Sequence, residues 1–412
     1  MEPGLAAALI RAAAAGRGDA ASAVVRTPRG WVAATDPVEV LEVSGTEVWA
    51  ALDDLAPGFW GGFATFELGH AVERVEPGPA SERAFDAAPR LPDLALVRFA
   101  RAEPVDPASY PVRAQLAREL VETAPRLGPA ARTSLTRDEY VSRVERILEH
   151  IRAGDCYQVN LTRTLEWDAA PDPLALFGAL TVRSAAPHAT LLRLPLAMGP
   201  IAVVSASPER FLSWNGASVE TRPIKGTAVA ADALARSAKD HAENVMIVDL
   251  ARNDLGRVCR TGSIHVPALC ATERHPGLAH LVSTVRGELR HDVGLGALLR
   301  ATFPAASITG APKPRVLQII EDLEPVRRDV YCGAVGWIDT ARNEGDLAVA
   351  IRSFTVAPGR TTLGVGGGIV ADSDPDREWD ETCLKARRLL RAAGAHEPEP
   401  APSPRNGERV SV

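Results

Sequence analysis

Apolar residues recur every three or four positions along Tyr140, Val141, Val144, Ile147, Leu148 and Ile151, the period of an α-helix with one buried face. Thr136-Arg137-Asp138-Glu139 precedes them as a capping box, in which the threonine hydroxyl accepts from the backbone three residues on and Glu139 reaches back. Gly154 supplies the stop, so the pattern predicts an amphipathic helix over 136–154. Directly after it, Tyr157-Gln158-Val159-Asn160-Leu161-Thr162 alternates apolar and polar. That period puts Gln158, Asn160 and Thr162 on one strand face, turned either to solvent or to a polar cavity. Farther along, 201–205, 210–214 and 218–223 read as short strands and 240–253 as a largely buried helix. Segments 295–302, 314–323 and 378–393 read as helices, and 330–338, 346–355 and 360–365 as strands.

The first ~130 residues are broken by turn-forming clusters, among them Glu76-Pro77-Gly78-Pro79 and Glu103-Pro104-Val105-Asp106-Pro107. Within them, the glycine-bounded stretch 61–69 reads as a buried structural strand whose titratable groups are Glu67 and, just beyond, His70. From Glu397 onward the chain is proline-rich, charged and nearly free of apolar residues, the composition of a disordered tail over 397–412.

Composition narrows the function. Of 412 residues 46% are apolar and 24% charged, as in an ordinary globular protein. Acidic residues outnumber basic ones by 52 to 46, a net charge of −6, and no Lys/Arg cluster stands out, which argues against nucleic acid as a partner. No 18-residue uncharged apolar run exists, and the alanine-rich 5–15 is interrupted by Arg11, so neither a membrane span nor a signal peptide is expected. The five cysteines are scattered and never form CxxC, consistent with reduced thiols and a cytoplasmic protein.

Three polar patterns could carry chemistry. Gly366-Gly367-Gly368, expected to follow a strand, lets backbone N–H groups approach an anion because no Cβ intervenes. Glu378 and Glu381 follow at i, i+3 on one helix face, and Glu243 stands at the entrance of the helix expected over 240–253. Carboxylates so spaced suit Mg²⁺, which takes oxygen ligands alongside an anionic substrate, although a solvated surface has the same look. Asp254, in Arg252-Asn253-Asp254-Leu255-Gly256-Arg257, reads as an internally paired helix end. Lys225, between Ile224 and Gly226, becomes a nucleophile if buried, because burial lowers an amine's pKa, although a lone lysine is more often a surface residue; its nearness in sequence to Glu209 allows an acid–nucleophile pair without establishing one.

Taken in order, several segments resemble the chorismate-utilising enzymes, a family that includes anthranilate, aminodeoxychorismate, isochorismate and salicylate synthases. They are 154–161, 207–211, Pro223-Ile224-Lys225-Gly226-Thr227, 243–250, Arg252-Asn253-Asp254, His280-Leu281-Val282-Ser283, 307–313, 331–336, Ala350-Ile351-Arg352-Ser353, and 366–370 with Glu378 and Glu381. The resemblance implies an α+β fold of the anthranilate synthase component I type: two large antiparallel sheets packed as an orthogonal sandwich, with helices outside. Residues 1–130 would form its N-terminal part and 133–392 the chorismate-binding catalytic part. Lysine in Pro-Ile-Lys-Gly-Thr resembles the aminodeoxychorismate branch, since anthranilate and isochorismate synthases place alanine there.

The same resemblance assigns roles. Lys225 would be the nucleophile, Glu209 the acid and His280 a supporting group, with a core histidine as its alternative. Arg352, Tyr331, Ser307 and Gly366, Gly367 and Gly368 would hold chorismate; Glu243, Glu378 and Glu381 would hold Mg²⁺. Ammonia would come from a separate glutamine amidotransferase subunit, since no glutaminase motif is present. Anthranilate synthase component I and a non-catalytic chorismate-binding homologue are the alternatives. Two departures stand out: Phe303-Pro304-Ala305-Ala306-Ser307 replaces Phe-Pro-Gly-Gly-Ser, and Asp329 replaces a glycine. If Ala305 and Ala306 need positive φ, each costs about 1 kcal/mol and the loop shifts.

Overall fold

The computed structural model describes residues 3–14, 21–73, 75, 90–106, 125–183, 186–228, 232, 234, 237–275 and 278–398. The turn cluster at 76–79, Pro107 and all of the expected tail beyond Pro398 lie outside them. The helices are α1 (Pro3–Ala14), α2 (Glu47–Asp53), α3 (Leu68–Glu73), α4 (Arg137–Ala153), α5 (Pro173–Arg183), α6 (Ala238–Gly256), α7 (Leu295–Thr302), α8 (Lys313–Leu323) and α9 (Pro375–Ala392).

The main sheet is wholly antiparallel, and its ladders form one continuous run. From Gln158–Trp167 it passes through Arg360–Ile369, Ser353–Ala357, Gly199–Ser207 and His188–Leu196 to Ser22–Thr27. It continues through Gly30–Val43, Leu94–Pro104, Phe59–Ala64, Ala334–Asp339 and Glu344–Val349. Arg210–Asn215, Ser218–Arg222 and Leu278–Glu288 follow, the last pairing with both His265–His275 and Ile224–Ala228. The two large sheets of the α+β fold are thus the two ends of one run, joined by the N-terminal strands. Alternating residues of both ends, among them Val203, Leu192, Val97, Phe63, Trp337 and Ala348, bury a common core. Helices cover the outer faces: α1, α5 and α9 pack on one end, and α4, α6, α7 and α8 on the other.

Helix α4 starts and stops as its sequence dictates. The Thr136 side chain accepts from the Glu139 N–H, Glu139 caps back, and Gly154 ends the helix at φ 81°. Losing the Thr136 hydroxyl orphans a first-turn donor, so Thr136→Ala should destabilise the fold by about 1 kcal/mol in a denaturant titration.

Four expected elements differ. The strand at 61–69 ends at Ala64, and α3 begins at Leu68, because Glu67 turns inward: its Oε1 accepts from the Arg328 N–H at 2.8 Å. The strand expected over 330–338 begins only at Ala334, after a turn in which Asp329 and Cys332 have positive φ. The segment 346–355 is two strands, broken where Arg352 takes φ 53°. The glycines 366–368 do not follow a strand but lie within it, in Arg360–Ile369.

Candidate active site

The two ends of the sheet run meet at one place. Gln158–Trp167 pairs with Arg360–Ile369, setting Gly366, Gly367 and Gly368 opposite Thr162, Leu161 and Asn160. Gln158, Asn160 and Thr162 share a face and are all buried, so that face is turned to the interior and not to solvent. A Cβ on Gly368 would sit 3.1 Å from Gln158 Nε2 and 3.5 Å from Lys225 Nζ. The lysine reaches this point from the far end of the run, on Ile224–Ala228, where the register slips beside Gly226 at φ 73°. A side chain at 368 would meet Lys225 at an ordinary contact distance but would crowd the Gln158 amide, so glycine there makes room chiefly for Gln158.

Lys225 Nζ donates to the Ser307 carbonyl at 3.4 Å. Burial pushes its ammonium pKa down, with Lys385 adding to that, while Glu243, Glu209 and Glu381 pull it back up. Glu209 lies in the short link between Gly199–Ser207 and Arg210–Asn215, fixed by its N–H on Ser207 Oγ at 3.2 Å and its carbonyl on the Val349 N–H at 3.1 Å. The residue is 4% exposed. Burial raises its pKa to about 7, against the opposing pull of Ser307, Lys225 and Arg352. The Ser307 hydroxyl approaches this carboxyl without the alignment of a formed hydrogen bond, and is itself buried with no partner.

Ser307 lies in the 3₁₀ turn Ala306–Ile308, which Arg328 holds in place. This buried guanidinium donates to the carbonyls of Ile308 and Asn160 and forks onto Glu324, which also accepts from the Thr162 N–H at 2.8 Å. One paired arginine thus ties the Ser307 turn to the polar strand, with its charge balanced and its donors used. Ala305 takes φ −56° and neither it nor Ala306 has positive φ, so alanine replaces glycine there without strain. Asp329 does have φ 51°, the conformation for which a glycine is better suited.

Arg352 stands half-buried between two strands, its pKa lowered by burial and by the nearby Arg388. The Tyr331 ring lies against Gly364, where a Cβ would overlap it outright. Gly364→Ala should therefore displace Tyr331, raise the KM for the substrate by about tenfold and cost about 1–3 kcal/mol of stability, as steady-state kinetics and a denaturant titration would show. His280 is buried on Leu278–Glu288, opposite Thr227 and Glu273.

The carboxylates come from two helices. Ser237 caps α6, and Asn244 pins that helix to Leu278–Glu288 by donating to the Leu281 carbonyl at 3.2 Å and accepting from Ser283, which presents Glu243 toward Lys225. Asp374 caps α9, and Ser373 donates to Glu378 at 2.6 Å, holding Glu378 beside Gly367. Burial raises the pKa of Glu243 and of Glu378, and the charge of Glu381 adds to both. Burial acts upward on Glu381 too, but Lys385 at 2.7 Å overrides it and the net shift is down. Lys385 also donates to the Gly366 carbonyl at 2.9 Å, on the strand edge left open beyond Leu363. Among the described residues no three His, Cys, Asp or Glu side chains converge closely enough to hold a metal ion. The donor set is nonetheless all carboxylate, mutually repelling and balanced by lysines, which fits a hard divalent cation in chemistry.

Sequence reasoning missed Lys385, Gly364 and the pairing of Arg328 with Glu324. Lys385 was legible as i+4 from Glu381 and i+7 from Glu378, on one helix face. The Arg328–Glu324 pair is likewise four residues apart, but its bonds to Asn160, Ile308 and Thr162, and the contact of Gly364 with Tyr331, join distant segments.

Residues 15–391 match the family model described as chorismate binding enzyme. Aminodeoxychorismate synthase component 1 of Escherichia coli K12 is 42% identical over 269 residues, 63% of this chain and 58% of that protein's length. Its counterpart from Klebsiella aerogenes is 40% identical over 352 residues, 80% of this chain and 76% of that protein. Anthranilate synthase component 1 of Mycolicibacterium smegmatis is 38% identical over 287 residues, 67% of this chain and 55% of that protein. The crystal structure of anthranilate synthase component I from Streptococcus pneumoniae superposes with a TM-score of 0.71 at 24% identity, covering 87% of this chain and 91% of that one. At that identity the likeness establishes the fold.

Proposed function

The chain belongs to the chorismate binding enzyme family, and on that footing we propose that it is component I of an aminodeoxychorismate synthase. It replaces the C4 hydroxyl of chorismate with an amino group from ammonia, which a separate glutamine amidotransferase subunit supplies, on the route to p-aminobenzoate and folate. The observation that carries the reading is Lys225: a buried amine with lowered pKa, near enough to Glu209 that each charge acts on the other, beside a carboxyl whose pKa burial raises to about 7.

Chorismate enters with its ring over the glycine strand. Arg352 and Tyr331 take the enolpyruvyl carboxylate, a task suited to a guanidinium, and the open strand edge at Gly366 to Gly368, with Lys385, faces the ring carboxylate. Glu243, Glu378 and Glu381 would hold Mg²⁺, which when bound supplies positive charge beside that carboxylate. Lys225 attacks C2 as Glu209 protonates the departing C4 hydroxyl; one difficult substitution becomes two easier ones. Ammonia then adds at C4 and the lysine leaves C2. Because the lysine holds C2, the nitrogen is directed to C4. Ser307 and His280 support the leaving-group side of the ring.

The test is product analysis of purified protein with chorismate, MgCl₂ and ammonium chloride. The reading predicts a non-fluorescent product with the mass of aminodeoxychorismate, converted to p-aminobenzoate when a lyase is added. Fluorescent anthranilate would make the chain an anthranilate synthase component, and bound but unchanged chorismate a non-catalytic homologue.

A further inference from the structure

One buried arginine grips the helix that carries Glu378 and Glu381. Arg163 stands on Gln158–Trp167 opposite Val365. Strand alternation turns it away from the Gln158 face and toward α9, on the side of Leu161 and, across the ladder, Gly367. Its Nε donates to Thr382 Oγ1 at 3.1 Å and its Nη2 to Cys383 Sγ at 3.4 Å, and its guanidinium lies 4.2 Å from the centre of the Trp379 ring. Trp379 directly follows Glu378, and Thr382 directly follows Glu381. Glu397 completes the fork, its two oxygens accepting from Arg163 at 2.9 and 3.0 Å. We infer that Arg163 and Glu397 are positioning residues: together they fix how α9 lies over the glycine strand, and with it where Glu378 and Glu381 stand. What those carboxylates do rests on the function proposed above.

Stability alone does not call for this arginine. Its side chain is fully buried, and Leu165, Val365, Ala386 and Leu389 form an apolar cluster on the same side of the sheet. A well-packed apolar residue in such a seam stabilises a fold as well as a buried ion pair or better, because the pair must first lose its water. Apolar contacts, however, have no direction. A planar guanidinium that stacks on one ring, forks onto one carboxylate and donates to two groups of one helix has its geometry set at every contact. That is the property needed to hold a helix in one place along a strand.

The chain is built to deliver the carboxylate. Gly394 at φ 58° turns the backbone after α9, where a Cβ would stand 2.7 Å from the Pro125 carbonyl. Ala395–His396 then pairs with Gly128–Pro129, and the Ala130 N–H donates to the His396 carbonyl at 3.0 Å. Glu397, the first residue of the charged, proline-rich stretch, is thereby held within reach of Arg163.

Little slack exists at the other end of the contact. Glu378 Oε2 lies 3.4 Å from where a Cβ on Gly367 would stand, and Lys385 ties Glu381 to the Gly366 carbonyl. A slip of α9 moves all three groups together relative to the strand, and a 1 Å misplacement can cost about 10²-fold in rate.

Variants of the full chain test the assignment by calorimetric titration of chorismate in MgCl₂, with a denaturant titration beside it. Glu397→Gln leaves the buried guanidinium without its counter-charge, so the unfolding midpoint should fall. Adding Arg163→Met removes that charge and fills the seam, so the double variant should regain the wild-type midpoint. Its dissociation constant for chorismate should nonetheless be raised by about tenfold, because the fork that set α9 is gone. Wild-type binding in the double variant, or weak binding with the midpoint still low, overturns the inference, since the pair then serves stability alone. Should the double variant fail to fold, Glu397→Asp decides. It keeps the charge but shortens its reach by one methylene, and should raise the dissociation constant by about threefold or more; an unchanged constant overturns the inference. If wild-type protein binds chorismate without aminating it, the proposed reaction fails while the binding comparison still decides the role of the pair. Wild-type protein that binds no chorismate overturns both.

Discussion

Replacing Lys225 with alanine should cut formation of aminodeoxychorismate by about 10³-fold or more while chorismate still binds, as calorimetry would report. The expectation follows from placement. The amine lies at the glycine strand, 3.5 Å from where a Cβ on residue 368 would stand, and burial holds its pKa down, enlarging the neutral, nucleophilic fraction near neutral pH. The lysine also balances Glu209, Glu243 and Glu381 when charged, so alanine removes both a nucleophile and a counter-ion. Lys225→Arg separates the two: it keeps the charge, cannot attack, and should be as inactive as alanine. Full rate in either variant with ammonium as nitrogen donor would refute the covalent route.

Glu209→Gln should cost about 10²–10⁴-fold in kcat, the usual worth of a general acid. The pH dependence has a definite sign. Glu209 works protonated, and its pKa stands at about 7, so kcat should fall as pH rises through that value. Lys225 works deprotonated, and its lowered pKa brings the rising limb of the profile down from the usual amine range. In Glu209→Gln the falling limb should vanish. A wild-type profile still rising well above pH 7 would mean that another group protonates the leaving hydroxyl.

Local signals were legible in the sequence; contacts across the fold were not. The capping box at Thr136 and the stop at Gly154 are chemistry within one helix, and both stand as expected. The alternation at Gln158, Asn160 and Thr162 gave the strand but left its polar face open between solvent and cavity, because which side is covered depends on segments remote in the chain. The same limit explains the strand expected over 61–69: Glu67 turns the chain into α3 by bonding a backbone group 261 positions away. Glycine-to-alanine changes at 305 and 306 suggested strain that φ does not show, while Asp329 carries the left-handed conformation. Asp254 is paired, as expected of a helix end, yet its main partner Lys313 comes from α8 and its carboxylate borders a cavity with Glu209.

The most direct test of the central claim is the intact mass of the protein after mixing with chorismate and Mg²⁺ without ammonia. A lysine nucleophile predicts a species heavier by chorismate less one water, mapped by peptide mass to Lys225 and discharged when ammonium is added. Protein that turns chorismate over on ammonium addition yet never carries that mass, or carries it unchanged in Lys225→Ala, would contradict the account.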